Sequence, residues 1–155
     1  LPSVVGAKIG RPDVPVVGFS GDGAFGIAVN ELTAIGREEW PAVTQIVFRN
    51  YQWGAEKRNS TLWYDDNFVG TELDTQVSYA GIAKACGLQG VVAKTMDELT
   101  EALHTAIKDQ MENGKTTLIE AMINQELGEP FRRDAMKKPV AVAGVSASDM
   151  REQVV

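Results

Sequence analysis

Apolar positions follow two periods along this chain. Val14-Pro15-Val16-Val17-Gly18-Phe19 and Val43-Thr44-Gln45-Ile46-Val47-Phe48 are nearly continuous apolar runs. Such runs belong to parallel strands covered by helices on both faces, and they predict strands over 15–19 and 43–48. Further strands are predicted over 90–93 and 116–123. Helical spacing separates them. Leu32 and Ile35 lie inward on a helix predicted over 25–38, which Trp40-Pro41 ends. Tyr79, Ile82, Ala83 and Cys86 share one face over 76–86, with Gly87 placed as a C-cap. Thr95-Met96-Asp97-Glu98 is a capping box. It opens a helix with Leu99, Ala102, Leu103, Ala106, Ile107 and Met111 inward, and Gly114 closes that helix. Residues 1–9 read as the end of a helix, with Gly10 and Pro12 beyond it. The order strand, helix, strand, loop, helix, strand, helix, strand predicts an α/β fold, a three-layer α/β/α arrangement around a mainly parallel sheet.

Two stretches lack a period. Residues 53–73 interleave Glu56, Lys57, Arg58, Asp65 and Asp66 with Trp53, Trp63, Tyr64 and Phe68. Loops of this length are functional or disordered, and the aromatic rings argue for order, so this segment reads as a lid with a short helix. Residues 129–155 carry a basic cluster of Arg132, Arg133, Lys137 and Lys138. That tail is either solvated or folded back over a site that takes anions. The domain reading is therefore 1–128, followed by a tail over 129–155.

The chain has 155 residues and a formal charge of −6. That balance argues against nonspecific nucleic-acid binding. No apolar stretch is long enough to span a membrane, and no signal-peptide pattern is present. Cys86 is the single cysteine, which excludes an intrachain disulfide and suits a reducing cytoplasm. Leu1 in place of methionine, with a helix already under way, predicts the C-terminal part of a longer protein.

The candidate chemistry sits where the first two strands end. Gly21-Asp22-Gly23 falls between a strand and a helix, where free backbone N–H groups favour an anion. Asp22 repels a phosphate directly but can meet one through a hard cation such as Mg²⁺. The second run ends at Arg49-Asn50-Tyr51-Gln52-Trp53-Gly54. If the two strands are parallel neighbours, Asp22 and Asn50 emerge at the same edge, the usual ligand site of such sheets. His104 lies on the amphipathic helix far from this edge and reads as structural. Glu56 reads as a salt-bridge partner of the lid in preference to an acid/base group.

Gly-Asp-Gly followed at this spacing by Asn-x-x-x-Gly resembles the diphosphate-binding signature of thiamine-diphosphate enzymes of the acetolactate-synthase type. The resemblance implies Mg²⁺ ligands at Asp22, at Asn50 through its side-chain oxygen and at Gln52 through its backbone carbonyl. It implies that Gly21, Gly23 and Ala24 form the turn that meets the diphosphate, with Trp53 and Gly54 completing the cofactor-binding set. Many relatives have Asn where this chain has Arg49. That guanidinium either serves the site or pairs with a structural carboxylate. Residues 50–73 and the tail NQELGEPFRRDAMKKPV are similar to sulfoacetaldehyde acetyltransferases. These use thiamine diphosphate and Mg²⁺ to convert sulfoacetaldehyde and phosphate to acetyl phosphate and sulfite, in taurine and sulfonate degradation. Both substrates are anions, and Arg49, Lys57, Arg58, Arg132 and Arg133 are the candidate cationic donors. The glutamate that activates the cofactor has no match in this chain. The resemblance places it on a pyrimidine-binding domain of a neighbouring subunit, implying at least a homodimer or homotetramer and an inactive isolated fragment. An acetolactate-synthase-like enzyme, a 2-oxo acid decarboxylase and a non-catalytic assembly module are the competing readings.

Overall fold

A computed structural model describes residues 1–37 and 39–127. The tail over 129–155, with Arg132, Arg133, Lys137 and Lys138, lies outside the described residues. The described residues divide into two compact units, Leu1–Gln52 with Leu73–Gln125, and Trp53–Glu72 with 126–127.

The first unit holds four strands, β1 (Val17–Gly21), β2 (Thr44–Arg49), β3 (Gln89–Ala93) and β4 (Thr117–Met122). They lie in the order β1-β2-β4-β3, and every pairing is parallel. Its helices are α1 (Pro2–Gly10), α2 (Asp22–Ile27), α3 (Glu31–Ile35), α5 (Tyr79–Ala85) and α6 (Met96–Glu112), while α4 (Gly54–Trp63) belongs to the second unit. The predicted fold class holds.

Strand alternation sorts the core into two faces. Val47 and Leu118 pack with Phe25, Leu32, Tyr79, Ala80 and Ala83 from α2, α3 and α5. Ile46, Ile119 and Ala121 turn the other way, against Ala106 with Leu99, Ala102 and Leu103 of α6. Burying a side chain such as Leu118 or Ile119, both fully enclosed, contributes about 2 kcal/mol each. Val5 of α1 packs on Ile35 and Val43.

Three expectations need correction. The covered-strand reading holds for β2 but fails for β1, where Phe19 is 73% exposed. Helix α6 packs on β2, β4 and β3, and the Phe19 ring meets the Phe48 ring edge-on at 6.5 Å. The helix predicted over 25–38 is two short helices. Gly23 and Gly26, together with β-branched Ile27 and Val29, weaken helix propagation. Between α2 and α3 the bonding tightens to i→i+3, with Glu31 N donating to Ala28 O and Leu32 N to Val29 O, each at 3.1 Å. On α6 the inward place expected for Met111 goes to Gln110. Met111 is exposed, and Gln110 is buried because its amide is fully used: Oε1 accepts from Val16 N at 2.7 Å, and Nε2 donates to Val16 O and Thr44 Oγ1 at 2.9 Å.

The capping box forms, with Glu98 N donating to Thr95 Oγ1 at 3.1 Å. Gly87 and Gly114 take positive φ, at 81° and 62°, where a side chain would be strained. Gly90 meets a different demand. A Cβ there would stand 2.1 Å from Ala80 O, because α5 lies directly on β3. Gly90→Ala is expected to destabilise the protein by about 3 kcal/mol through overpacking against backbone, measured as a fall in the urea midpoint at unchanged slope.

Candidate functional site

The register of β1 against β2 pairs Gly21 with Phe48, so Asp22 and the 49–52 segment leave the sheet at one edge. Asp22 begins α2 and is 1% exposed. Its two oxygens are treated differently. Oδ2 accepts from Arg49 Nη1 at 3.1 Å, Asn50 N at 3.2 Å and Tyr51 N at 2.8 Å. Oδ1 accepts only from its neighbour Gly23 N, at 3.0 Å. A carboxylate oxygen with three donors has no lone pair left for a ligand, whereas Oδ1 keeps that capacity.

Tyr51 brings the second set of oxygens into place. Its φ is 61°, a left-handed setting that costs a non-glycine residue about 1 kcal/mol or more. That turn aims Tyr51 N at Asp22. Gln52 follows, and it is held by Nε2 donating to Gln125 O at 2.9 Å while Gln125 Nε2 donates to Asn50 O at 3.0 Å. The carboxamide of Asn50 places one atom 3.2 Å from Asp22 Oδ1 and 3.1 Å from Gln52 O. With nitrogen there, it donates to both and closes the site on itself. With oxygen there, it accepts from Gln52 N at 3.3 Å and faces both the Asp22 and the Gln52 oxygen with no proton between. Oxygens ligating Mg²⁺ at 2.0–2.1 Å stand about 3 Å apart along an octahedral edge. The donor set therefore fits a small dication in the oxygen-inward setting. No cluster of three or more His, Cys, Asp or Glu able to hold a metal occurs among the described residues, so the fit rests on one carboxylate, one amide and one main-chain carbonyl.

Arg49 is the residue whose place the sequence left open. It is 1% exposed. Besides Asp22, Nη2 donates to Asp74 O at 2.7 Å and to Val77 O at 3.0 Å, and Nε lies 3.4 Å from Glu120 Oε1. Tyr51 and Tyr79 lie against its guanidinium, with ring centroids at 4.2 and 5.0 Å. Arg49 takes the carboxylate-pairing role and is closed to solvent, so as a donor to an anionic substrate it is set aside. Glu120 is the functional neighbour that sequence reasoning missed. It sits in the otherwise apolar run Leu118-Ile119-Glu120-Ala121, and a charge inside a central strand was the available signal. Its Oε2 accepts from Ser78 Oγ at 2.9 Å and Ala80 N at 3.1 Å, which caps α5.

The other predicted residues fall as follows. Gly21 and Ala24 are exposed at the turn, and Gly23 is buried. A Cβ at Gly21 would meet nothing within 4 Å, and its φ of −70° is open to any residue. The fold does not require this glycine, and the open space before it suits the approach of a ligand. Trp53 and Gly54 open α4 in the second unit. Within that unit Lys57 pairs with Glu72 and faces the Phe68 ring at 5.3 Å, which replaces the expected lid salt bridge with Glu56. Arg58 Nη1 donates to Leu127 O at 3.3 Å. His104 is exposed on α6.

Residues 1–121 match the family described as thiamine pyrophosphate enzyme, C-terminal TPP binding domain. The chain belongs to this family. Over 155 residues, all of this chain, it is 86% identical to the sulfoacetaldehyde acetyltransferase of Roseovarius nubinhibens. It is 78% identical over 99% of its length to the sulfoacetaldehyde acetyltransferase of Rhodobacter capsulatus. It spans 26% of the length of each of these relatives. Among solved structures, the thiamine diphosphate-dependent 4-hydroxybenzoylformate decarboxylase of Rhodococcus jostii RHA1 superposes with a TM-score of 0.66 at 25% identity, over 83% of this chain and 23% of that one. No helix among the described residues is long and apolar enough to cross a membrane.

In this member of the family Tyr79 ties α5 to the site. Its hydroxyl donates to Asp22 O at 3.1 Å, and its ring meets Phe25 edge-on at 5.1 Å. Burial pushes the phenol above its ordinary value; the Arg49 guanidinium opposes that, and the Asp22 and Glu120 carboxylates add to it. The folded protein thus favours the protonated phenol. Its contribution is complete below about pH 10, the unfolded value, and is lost as pH rises through the higher folded one. Tyr79→Phe is expected to cost about 1 kcal/mol at neutral pH and to shallow the alkaline fall in stability, read from melting temperatures between pH 8 and 11.

Proposed function

We propose that this chain holds the diphosphate and Mg²⁺ in the active site of a thiamine-diphosphate-dependent acetyltransferase, which converts sulfoacetaldehyde and phosphate to acetyl phosphate and sulfite. The observation that carries the substrate assignment is the 86% identity over the whole chain to a relative bearing that title. The oxygens of Asp22, Asn50 and Gln52 support the metal role. Asp22 Oδ1, the Asn50 amide oxygen and the Gln52 carbonyl would ligate Mg²⁺, and Gly21, Gly23 and Ala24 would let the main chain approach the diphosphate. Trp53 and Gly54 belong to the same reading. When bound, the thiazolium of thiamine diphosphate supplies an electron sink for cleavage beside a carbonyl. This chain's residues would fix the cofactor through its metal and hold the Asp22 carboxylate in place. Lys57, Arg58, Arg132 and Arg133 remain the candidates for meeting anionic substrates. The glutamate that activates the cofactor would come from the pyrimidine-binding domain of a neighbouring subunit in a homodimer or homotetramer. The same reading places the enzyme in the cytoplasm.

The test is a coupled assay on a whole protein of the relatives' length, with sulfoacetaldehyde and phosphate, following sulfite and acetyl phosphate together. Release of both, dependent on thiamine diphosphate and Mg²⁺, is expected. Cofactor binding without sulfite would remove the substrate and leave the metal site standing. Asp22→Ala is expected to abolish Mg²⁺-dependent cofactor binding, followed by calorimetry, and unchanged binding would refute the metal assignment. Gly21→Ala is expected to leave the melting temperature within about 2 °C, since the added Cβ meets open space, and to weaken cofactor binding about tenfold if a diphosphate lies there.

A further inference from the structure

We propose that Arg49 is a positioning residue for Asp22, anchored in turn by Glu120, and that the affinity of the site for a divalent cation depends on this pair. The inference rests on reading Asp22, Asn50 and Gln52 as cation ligands, and it assigns a role to two side chains that ligate nothing.

Three observations lead there. The first is the asymmetry of the Asp22 carboxylate. Arg49 Nη1, Asn50 N and Tyr51 N all converge on Oδ2. Rotation about the Cβ–Cγ bond would exchange Oδ1 and Oδ2 before the Asn50 side-chain amide and break those bonds. The guanidinium therefore sets which edge of the carboxylate faces the other ligand oxygens. The two main-chain donors alone would hold it less firmly, since a charged donor to a carboxylate makes the stronger bond.

The second is that Arg49 has no freedom to do anything else. One nitrogen is taken by Asp74 O and Val77 O, Nε makes a 3.4 Å ion-pair contact with Glu120 Oε1 that lacks hydrogen-bond geometry, and an aromatic ring lies against the guanidinium on each of two approaches. Glu120 is itself fixed by Ser78 Oγ and Ala80 N at the start of α5. The fork shape of arginine is needed for this set of partners; lysine carries the charge on one point and cannot span them.

The third is charge. Asp22, Arg49 and Glu120 are all buried, and as ions they sum to one negative charge. An uncompensated buried anion is costly, and a dication at Oδ1 relieves it. Arg49 offsets one of the two carboxylate charges and leaves the residual negative charge that attracts a cation.

The test uses the whole protein with Mn²⁺ as the probe, titrated at saturating thiamine diphosphate, with the free ion followed by electron paramagnetic resonance. Removing a partner that orients a metal ligand weakens affinity by about 10–100-fold, and Arg49→Lys is expected to fall in that range. Glu120→Gln keeps the Arg49–Asp22 pair and replaces one acceptor oxygen by an NH2 group, which weakens the anchor or its hold on Ser78 and Ala80, so a loss at or just below the lower end is expected. Glu120→Gln also decides the matter if Arg49→Lys does not fold. A purely structural ion pair would lower the melting temperature in both variants and leave Mn²⁺ affinity within about twofold, a result that overturns the proposal. Asp22→Asn is the reference. If it loses Mn²⁺ while the other two variants keep it, this inference alone fails. If it binds Mn²⁺ as the unmodified protein does, the metal reading fails with it.

Discussion

One carboxylate organises the functional end of this domain. Asp22 joins the tip of β1, the tip of β2 and the start of α5 through a single buried group: Arg49, Asn50 and Tyr51 reach its side chain, and Tyr79 reaches its main-chain oxygen. Parallel pairing of β1 with β2 brings these partners together, because both strands end on the same side and their registers agree to within a residue. A sheet of the same strands in antiparallel order would send Asp22 and Asn50 to opposite edges.

The cluster around Asp22 is a poor stability device. Two buried carboxylates and one guanidinium lose hydration that their mutual attraction only partly restores, and the left-handed Tyr51 adds backbone strain. Apolar residues of similar volume at positions 49 and 120 would suit the core as well or better. What the ions provide is orientation, since an apolar pair could not tell one edge of the Asp22 carboxylate from the other. Rules that hold through the rest of the fold are broken where function is served, and Gly21 is the complementary case. Neither its φ nor its packing asks for glycine, so the demand comes from what must approach it.

Much of this was legible in the sequence. The capping box at Thr95, the positive-φ glycines at 87 and 114 and the strand runs through Val47 and Ile119 each carry a local signal that tertiary packing reinforces. So does the meeting of Asp22 with Asn50, which needs only strand order and direction. What escaped is what depends on the particular neighbour. Val17 and Phe19 read as covered because an apolar run does not reveal that the packing of α6 centres on β2, β3 and β4. Met111 read as inward because hydrophobic periodicity counts side chains by type and cannot know that Gln110 finds partners for its whole amide. A short helix was expected within 53–73, but its bounds at 54–63 were not, because it has no buried residue and so no apolar stripe to mark them. Glu120 was passed over inside an apolar strand, and with it went the reason Arg49 is buried.

The donors on Asp22 Oδ2 come from the main chain and from a side chain fixed on several sides, and none of them belongs to a ligand. Asn50 is the one member of the set with two satisfied states, one with the amide nitrogen inward and one with a cation between its oxygen and its neighbours. On the proposed reading, cation binding selects the oxygen-inward setting of this carboxamide and asks for little else. The 49–52 backbone is already bent, the carboxylate already aimed and the charge already in place. Ordering a loop on binding costs about 0.5–1.5 kcal/mol for each immobilised side chain. Here that cost is met on folding, by a segment whose strain the Arg49 and Glu120 contacts can hold. If Asp22, Asn50 and Gln52 hold the cation as proposed, an arginine at the end of β2 that touches no ligand readies their site before the cation binds.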